Sequence, residues 1–362
     1  MRKIFEESTI NRMTLKNRLI RSATWEGMCE EAGRPTARLI DCYRDLARGG
    51  VGLIITGYAF VSEEGRQLPC TLGAHSGQFV NDLKRLTGAV HAEEGKICLQ
   101  LVHVGGQTKA KDIGRAPLAP SAVMTKQFPQ VPVEMSFAEI QRVIKAFGEA
   151  AGRARESGFD AVQLHGAHGY LINQFLSPLT NLRTDEYGGS IDNRCRFMIE
   201  VYWRVREVVG RDYPVLIKLN GADHLVGGLD LEDAVYAAEL LDQEGIDAIE
   251  ISGGTPASGA MAPIRNKIDS PTLEGYNLPL CREIKAAVSC PVIAVGGFRS
   301  FPVVERAIRD EVDYVAMARP FIREPDLAAR WRSGNRTAAF CISCSKCFMP
   351  GLKEGGIYCV VK

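Results

Sequence analysis

The chain has 362 residues, with 44 Lys plus Arg against 43 Asp plus Glu and a formal net charge of +1. That balance offers no general field for nucleic acid or an anionic membrane, and 46% hydrophobic residues is too apolar for a disordered chain. Eleven cysteines are many, yet a chain this long needs no disulfide framework, and four of them fall after residue 340.

The first 20 residues carry charges throughout and lack the apolar segment of a secretory signal. No later run approaches the roughly 18 apolar residues of a membrane span. A cytoplasmic, reducing setting is expected. Short runs rich in Val and Ile then alternate with helical patterns. The runs are Leu19–Ala23, Gly52–Tyr58, Ile97–His103, Ala161–Gly166, Pro214–Asn220, Ala248–Gly254, Pro291–Gly297 and Tyr314–Pro320. Such near-continuous apolar runs fit strands buried on both faces of a parallel sheet.

The intervening segments supply crossover helices. Phe137–Ser157 places Phe137, Ile140, Val143, Ile144, Phe147 and Ala151 at helical spacing, behind Ser136 as N-cap with Glu139 three residues on. Leu231–Gln243 repeats the pattern and is followed by Gly245. The phrases ESGFDAVQLHG, QEGIDAIEISGG and RDEVDYVAMARP form a weak βα repeat. The prediction is an α/β fold, a (β/α)8 TIM barrel over residues 1–330 with a cysteine-rich extension over 331–362. Mouth loops are expected at 103–134 and 168–193. An open doubly wound sheet is the alternative, but no Gly-x-Gly-x-x-Gly follows the first strand.

The sharpest chemical constellation is His165, His168 and Tyr170 in QLHGAHGYLINQFLSP, at the mouth of the fourth strand. Paired imidazoles can donate to a carbonyl oxygen on which negative charge develops, and a phenol can deliver a proton in the same reaction. A metal reading lacks a nearby carboxylate or cysteine. Lys218 ends the fifth strand, where a charge in an apolar run suggests a functional mouth. Gly296 and Gly297 close the seventh strand and Ala318 and Arg319 the eighth, where TIM barrels commonly bind phosphate. In the tail, Cys341, Cys344, Cys347 and Cys359 make two consecutive C-x2-C steps and a distant fourth thiol. That spacing fits a [4Fe-4S] cluster or structural zinc.

Several segments together resemble the Old Yellow Enzyme family, nearest the branch containing 2,4-dienoyl-CoA reductase and 2-enoate reductase. They are LKNRLIRSA, GLIITGYAF, LQLVHVGGQ, HGAHGYLINQFLSPLTNLRTDEYGGSIDNRCRF, PVIAVGG and MARPFIREPDL. The resemblance implies FMN at the C-terminal mouth of the barrel, reduced by NADH or NADPH. Hydride would then pass from flavin N5 to the β-carbon of an unsaturated carbonyl or enoyl compound. It assigns His165 and His168 to the substrate carbonyl and Tyr170 to α-carbon protonation. It assigns Gln100 to the pyrimidine edge of FMN, Lys218 to N1 and O2, and Gly296, Gly297, Ala318 and Arg319 to the phosphate end. Ser22, Ala23, Thr24 and Trp25 stand at the family's early flavin motif, which usually carries Pro at the second position and a small residue at the fourth. Trp25 would narrow the site or stack on substrate. Tyr58 stands near the flavin where the family often has a small residue.

For the tail, the resemblance implies a [4Fe-4S] cluster, although the middle gap is two residues where that branch commonly has three. With Lys362 as the last residue, the cluster is expected either to take electrons from a separate donor protein or to be a retained structural element. A homo-oligomer is implied as well. Competing readings are an amine-type flavin dehydrogenase, a flavin-binding electron-transfer subunit that needs a partner reductase, and a TIM-barrel hydrolase.

Overall fold

In a computed structural model, which describes residues 1–361, each of the eight apolar runs contains a strand. These are β1 (Leu19–Arg21), β2 (Leu53–Ile55), β3 (Ile97–Val102), β4 (Ala161–Gly166), β5 (Val215–Asn220), β6 (Ala248–Ser252), β7 (Val292–Val295) and β8 (Tyr314–Met317). All pair in parallel in chain order, and β8 returns to β1, so the sheet closes into a barrel without edges. Every one of these strands is buried nearly end to end, as runs covered on both faces require.

Helices cover the outside: α1 (Ala37–Arg48), α2 (Val80–His91), α3 (Phe137–Glu156), α4 (Ile191–Val209), α5 (Leu231–Gln243), α6 (Leu278–Ala287), α7 (Phe301–Asp310) and α8 (Leu327–Arg332). The expected N-terminal stop of α3 is present as a capping box between Ser136 and Glu139. The larger core lies between strands and helices. A smaller one fills the bottom of the barrel. There a hairpin of Ser8–Ile10 and Met13–Leu15 packs Ile10, Met13 and Leu15 against Ile20, Leu53, Leu216 and Ile293. None of the described helices is long and apolar enough to cross a membrane.

Strand register positions the site. Gln100 on β3 lies beside Gln163 on β4, His165 beside Lys218 on β5, and Lys218 beside Glu250 on β6. After β8 the chain leaves the barrel wall. Beyond α8 it runs as loop except for one short helix, α9 (Phe348–Lys353). The tail returns across the mouth: Ala339 N–H donates to Arg299 O and Ile357 N–H to Glu26 O, each at 2.8 Å.

One buried ion pair fixes the segment between β1 and α1. Arg21 Nη2 lies 2.6 Å from Glu26 Oε1, and both side chains are buried. The same oxygen accepts from Tyr43 Oη at 2.8 Å and from Gly57 N–H at 3.1 Å. Gly57 cannot carry a side chain, because a Cβ there would sit 2.2 Å from Glu26 Oε2. The carboxylate thereby ties Ser22–Trp25 to the loop bearing Tyr58. Glu26→Ala leaves Arg21 charged and uncompensated, and should cost about 3–5 kcal/mol in urea unfolding. A loss under about 1 kcal/mol, the range of an exposed pair, would contradict this role.

Candidate functional site

The C-terminal ends of the strands and the loops beyond them enclose a cavity of about 450 Å³. Thirteen of the sequence-predicted residues line it: Ser22, Ala23, Thr24, Trp25, Tyr58, Gln100, His165, His168, Tyr170, Lys218, Gly297, Ala318 and Arg319. Gly296 does not. A Cβ on Gly296 would meet the Tyr276 ring at 3.1 Å and one on Gly297 at 2.9 Å. The paired glycines therefore give room to Tyr276, which itself lines the cavity.

His165, His168 and Tyr170 converge. The His165 ring centroid lies 5.1 Å from that of His168 and 4.7 Å from that of Tyr170, both edge-on. His165 Nδ1 accepts the Ala167 N–H at 3.3 Å, so the proton of a neutral ring sits on Nε2 and is left to donate. His168 takes a left-handed backbone with φ of 62°. Its N–H donates to Asn220 Oδ1 at 3.1 Å, and its Nε2 lies 2.8 Å from Ser252 Oγ. With the serine hydroxyl donating, Nδ1 carries the proton and is the ring's remaining donor.

Burial pushes the His165 pKa well below the ordinary imidazole value, assisted by His168 and Lys218. Burial, then Lys218, brings His168 down to about 3. Both rings are therefore neutral donors at neutral pH. Burial pushes the Tyr170 phenol up to about 12, which keeps its proton in place. Tyr170 Oη donates to Gln67 Oε1 at 2.9 Å, and Tyr58 Oη donates to the same oxygen at 3.3 Å. Gln67 Nε2 is anchored on Gln107 O at 2.8 Å.

Beneath these groups runs a buried polar chain. Glu250 Oε1 accepts from Ser22 Oγ at 2.6 Å and from Lys218 Nζ at 3.0 Å. Its Oε2 accepts from Gln163 Nε2 at 2.8 Å, and Gln163 Oε1 accepts from Gln100 Nε2 at 2.7 Å. A carboxylate only accepts, so Gln163 must turn its NH2 toward Glu250 and its oxygen toward Gln100. Gln100 must then turn its own NH2 to Gln163. Its Oε1, without a protein partner among the described residues, remains as an acceptor for a ligand, beside the cationic donor Lys218. That pairing suits the imide-like edge of an isoalloxazine. At the opposite end, Arg299 also lines the cavity, and its buried Nε has no partner among the described residues. With Arg319 it suits a phosphate. The cavity therefore fits FMN on both counts.

The tail supplies a wall. Ser343, Ser345, Cys347, Phe348 and Ile357 line the same cavity. Arg319 Nη1 donates to Ser343 O at 3.1 Å and to Ser345 Oγ at 3.0 Å. Trp25, expected to narrow the site or stack on substrate, lines the cavity. It packs on Phe348 at 4.9 Å and donates its indole N–H to Pro69 O at 3.1 Å. The four tail thiols are not brought into one ligand sphere, and no three His, Cys, Asp or Glu side chains among the described residues could share a metal ion. Cys341 Sγ accepts from Ser343 N–H at 3.5 Å, Cys347 faces the cavity, and Cys359 Sγ faces Val361 O at 3.9 Å. The expected [4Fe-4S] cluster or zinc is not borne out by this arrangement.

Sequence reading missed Gln67, Gln163, Glu250, Ser252 and Arg299. Glu250 carried a usable signal, since AIEIS is an apolar strand with one charge, as LIKLN is at Lys218.

Comparison with known proteins agrees with this geometry. Residues 3–337 match the model of the NADH:flavin oxidoreductase / NADH oxidase family. The chain belongs to that family. Among its relatives is an NADH oxidase from Thermoanaerobacter brockii, 35% identical over 94% of the chain and 52% of that protein. Of solved structures, 2-naphthoyl-CoA reductase in complex with 2-naphthoyl-CoA superposes with a TM-score of 0.87 at 27% identity, over 94% of the chain and 54% of that protein. The old yellow enzyme homologue from Zymomonas mobilis superposes with a TM-score of 0.80 at 27% identity, over 97% of the chain and 98% of that protein. The chain thus spans about half the length of the first two.

The depressed histidines make a pH prediction. The unfolded chain binds protons on these rings below about pH 6.5 while folded His168 does not until about pH 3. Their contribution to stability is therefore full above pH 6.5 and is lost as pH falls toward 3. NMR of the ring nitrogens should show neither His165 nor His168 titrating between pH 5 and 8. A midpoint near 6.5 for either would contradict their desolvation.

Proposed function

We propose that the chain is an FMN-dependent oxidoreductase that reduces the activated C=C bond of α,β-unsaturated carbonyl or enoyl compounds, with NADH or NADPH as electron donor. One observation carries this reading. A two-histidine and tyrosine cluster shares a cavity with an acceptor–cation pair at Gln100 and Lys218 and with Arg299 and Arg319. Gln100, Lys218 and Ser22 would hold the ring system of FMN, with Arg299 and Arg319 at its phosphate. When bound, FMN supplies the hydride.

The chain's own residues do the rest. His165 Nε2–H and the His168 ring donate to the substrate carbonyl and stabilise the negative charge that develops there. Neutral rings are apt, since a donor with a low-lying pKa need not be deprotonated to take part. Tyr170 delivers the proton to the α-carbon. Gln67 holds its hydroxyl until substrate enters, and Tyr58 narrows the same corner. The apolar wall from Trp25, Phe348 and Ile357 limits water around the reacting atoms.

The amine-dehydrogenase reading would leave this carbonyl-directed cluster without a role. No electron step is assigned to the tail cysteines in this arrangement. A cluster or zinc on them rests on the C-x2-C spacing and the family resemblance, and anaerobic iron, sulfide and zinc analysis decides it.

The test separates the two half-reactions. Tyr170→Phe should slow reduction of an enone or enoyl thioester by about 10²–10⁴-fold while flavin reduction by NAD(P)H is unchanged. His165→Ala should lower kcat and raise KM for the same substrate. Full activity in both variants would overturn the assignment.

A further inference from the structure

Lys218 is a cation lining the cavity, and its register partner on the next strand is an acid. Glu250 is 0% exposed, and Lys218 is buried as well. Their 3.0 Å contact lies far from bulk solvent, so counterions do not screen it. A lone lysine there would favour negative charge on a ligand ring. A lysine paired with a buried carboxylate presents almost no net charge. Ser22 and Gln163 also donate to the same carboxylate, so three donors meet Glu250.

We infer that Glu250 is a positioning residue that sets the redox poise of the bound flavin, by cancelling the charge of Lys218 and fixing where its ammonium points. This rests on the flavin reading above. The pair keeps the reduced ring from being over-stabilised, and so keeps it a competent hydride donor. Glu250 also fixes the amide of Gln100 through Gln163. One carboxylate thus orders the two polar groups that meet the ring edge.

The test is a spectroelectrochemical titration of the full chain loaded with FMN. Glu250→Gln leaves a net positive charge and should favour reduced flavin about tenfold, which is about +30 mV for a two-electron couple. Lys218→Met leaves a net negative charge and should shift the potential the other way. The double variant Lys218→Met, Glu250→Gln restores a neutral pair and should return close to wild type. It also keeps the proposal testable if Glu250→Gln alone does not fold. A purely structural role would predict loss of FMN without opposite shifts. An unchanged potential in Lys218→Met, or a double variant shifted as far as Lys218→Met alone, overturns the inference with FMN still bound. A wild-type chain that binds no FMN overturns the flavin reading itself.

Discussion

The mouth of the barrel is organised by the need to satisfy one fully buried carboxylate. Glu250 lies on a barrel strand and is fully buried, so only other side chains inside the barrel can supply donors, and an unpaired charge there would be prohibitive. It draws in Ser22 from just after β1, Lys218 from β5 and Gln163 from β4, and through Gln163 it orients Gln100 from β3. Four strands, β3, β4, β5 and β6, and the residue after β1 thus contribute to one network, and closure of the barrel is what lets them meet. The hydrogen-bonding polarity of the cavity floor follows from a group that lies beneath the ligand-facing side chains.

Above that floor, the walls come from segments far apart in the chain. The β4 mouth gives the histidines and Tyr170, the loop after β2 gives Gln67 and Tyr58, and the tail gives Phe348 and Ile357. Burial acts on all of them in one direction. It holds both imidazoles neutral and the phenol protonated, which is the state in which each can donate. Arg319 joins the barrel side of the cavity to Ser343 and Ser345, so the tail is part of the site and not an appendage.

Much of this was legible in the sequence because strand burial and helix capping are local. The eight apolar runs became the eight strands, trimmed at their ends, and Ser136 with Glu139 marked the start of α3. His165, His168, Tyr170 and Lys218 were visible as polar groups at strand mouths. Gln67 was not, because nothing local brings it to Tyr170 across 103 positions. Gln163 and Glu250 sat in runs read only for their apolarity, and their partnership depends on register. Gly296 and Gly297 read alike as phosphate glycines, yet both accommodate Tyr276. The packing of Trp25 on Phe348 was not legible, because Phe348 lies in a tail read only for its cysteines.

The most direct test is a crystal structure of the full chain with FMN bound. The ring edge should meet Gln100 Oε1 and Lys218 Nζ, the phosphate should lie at Arg299 and Arg319, and the donors of His165, His168 and Tyr170 should stay open toward substrate. A flavin bound elsewhere, or one whose phosphate lies at the histidines, would contradict the assignment of this cavity.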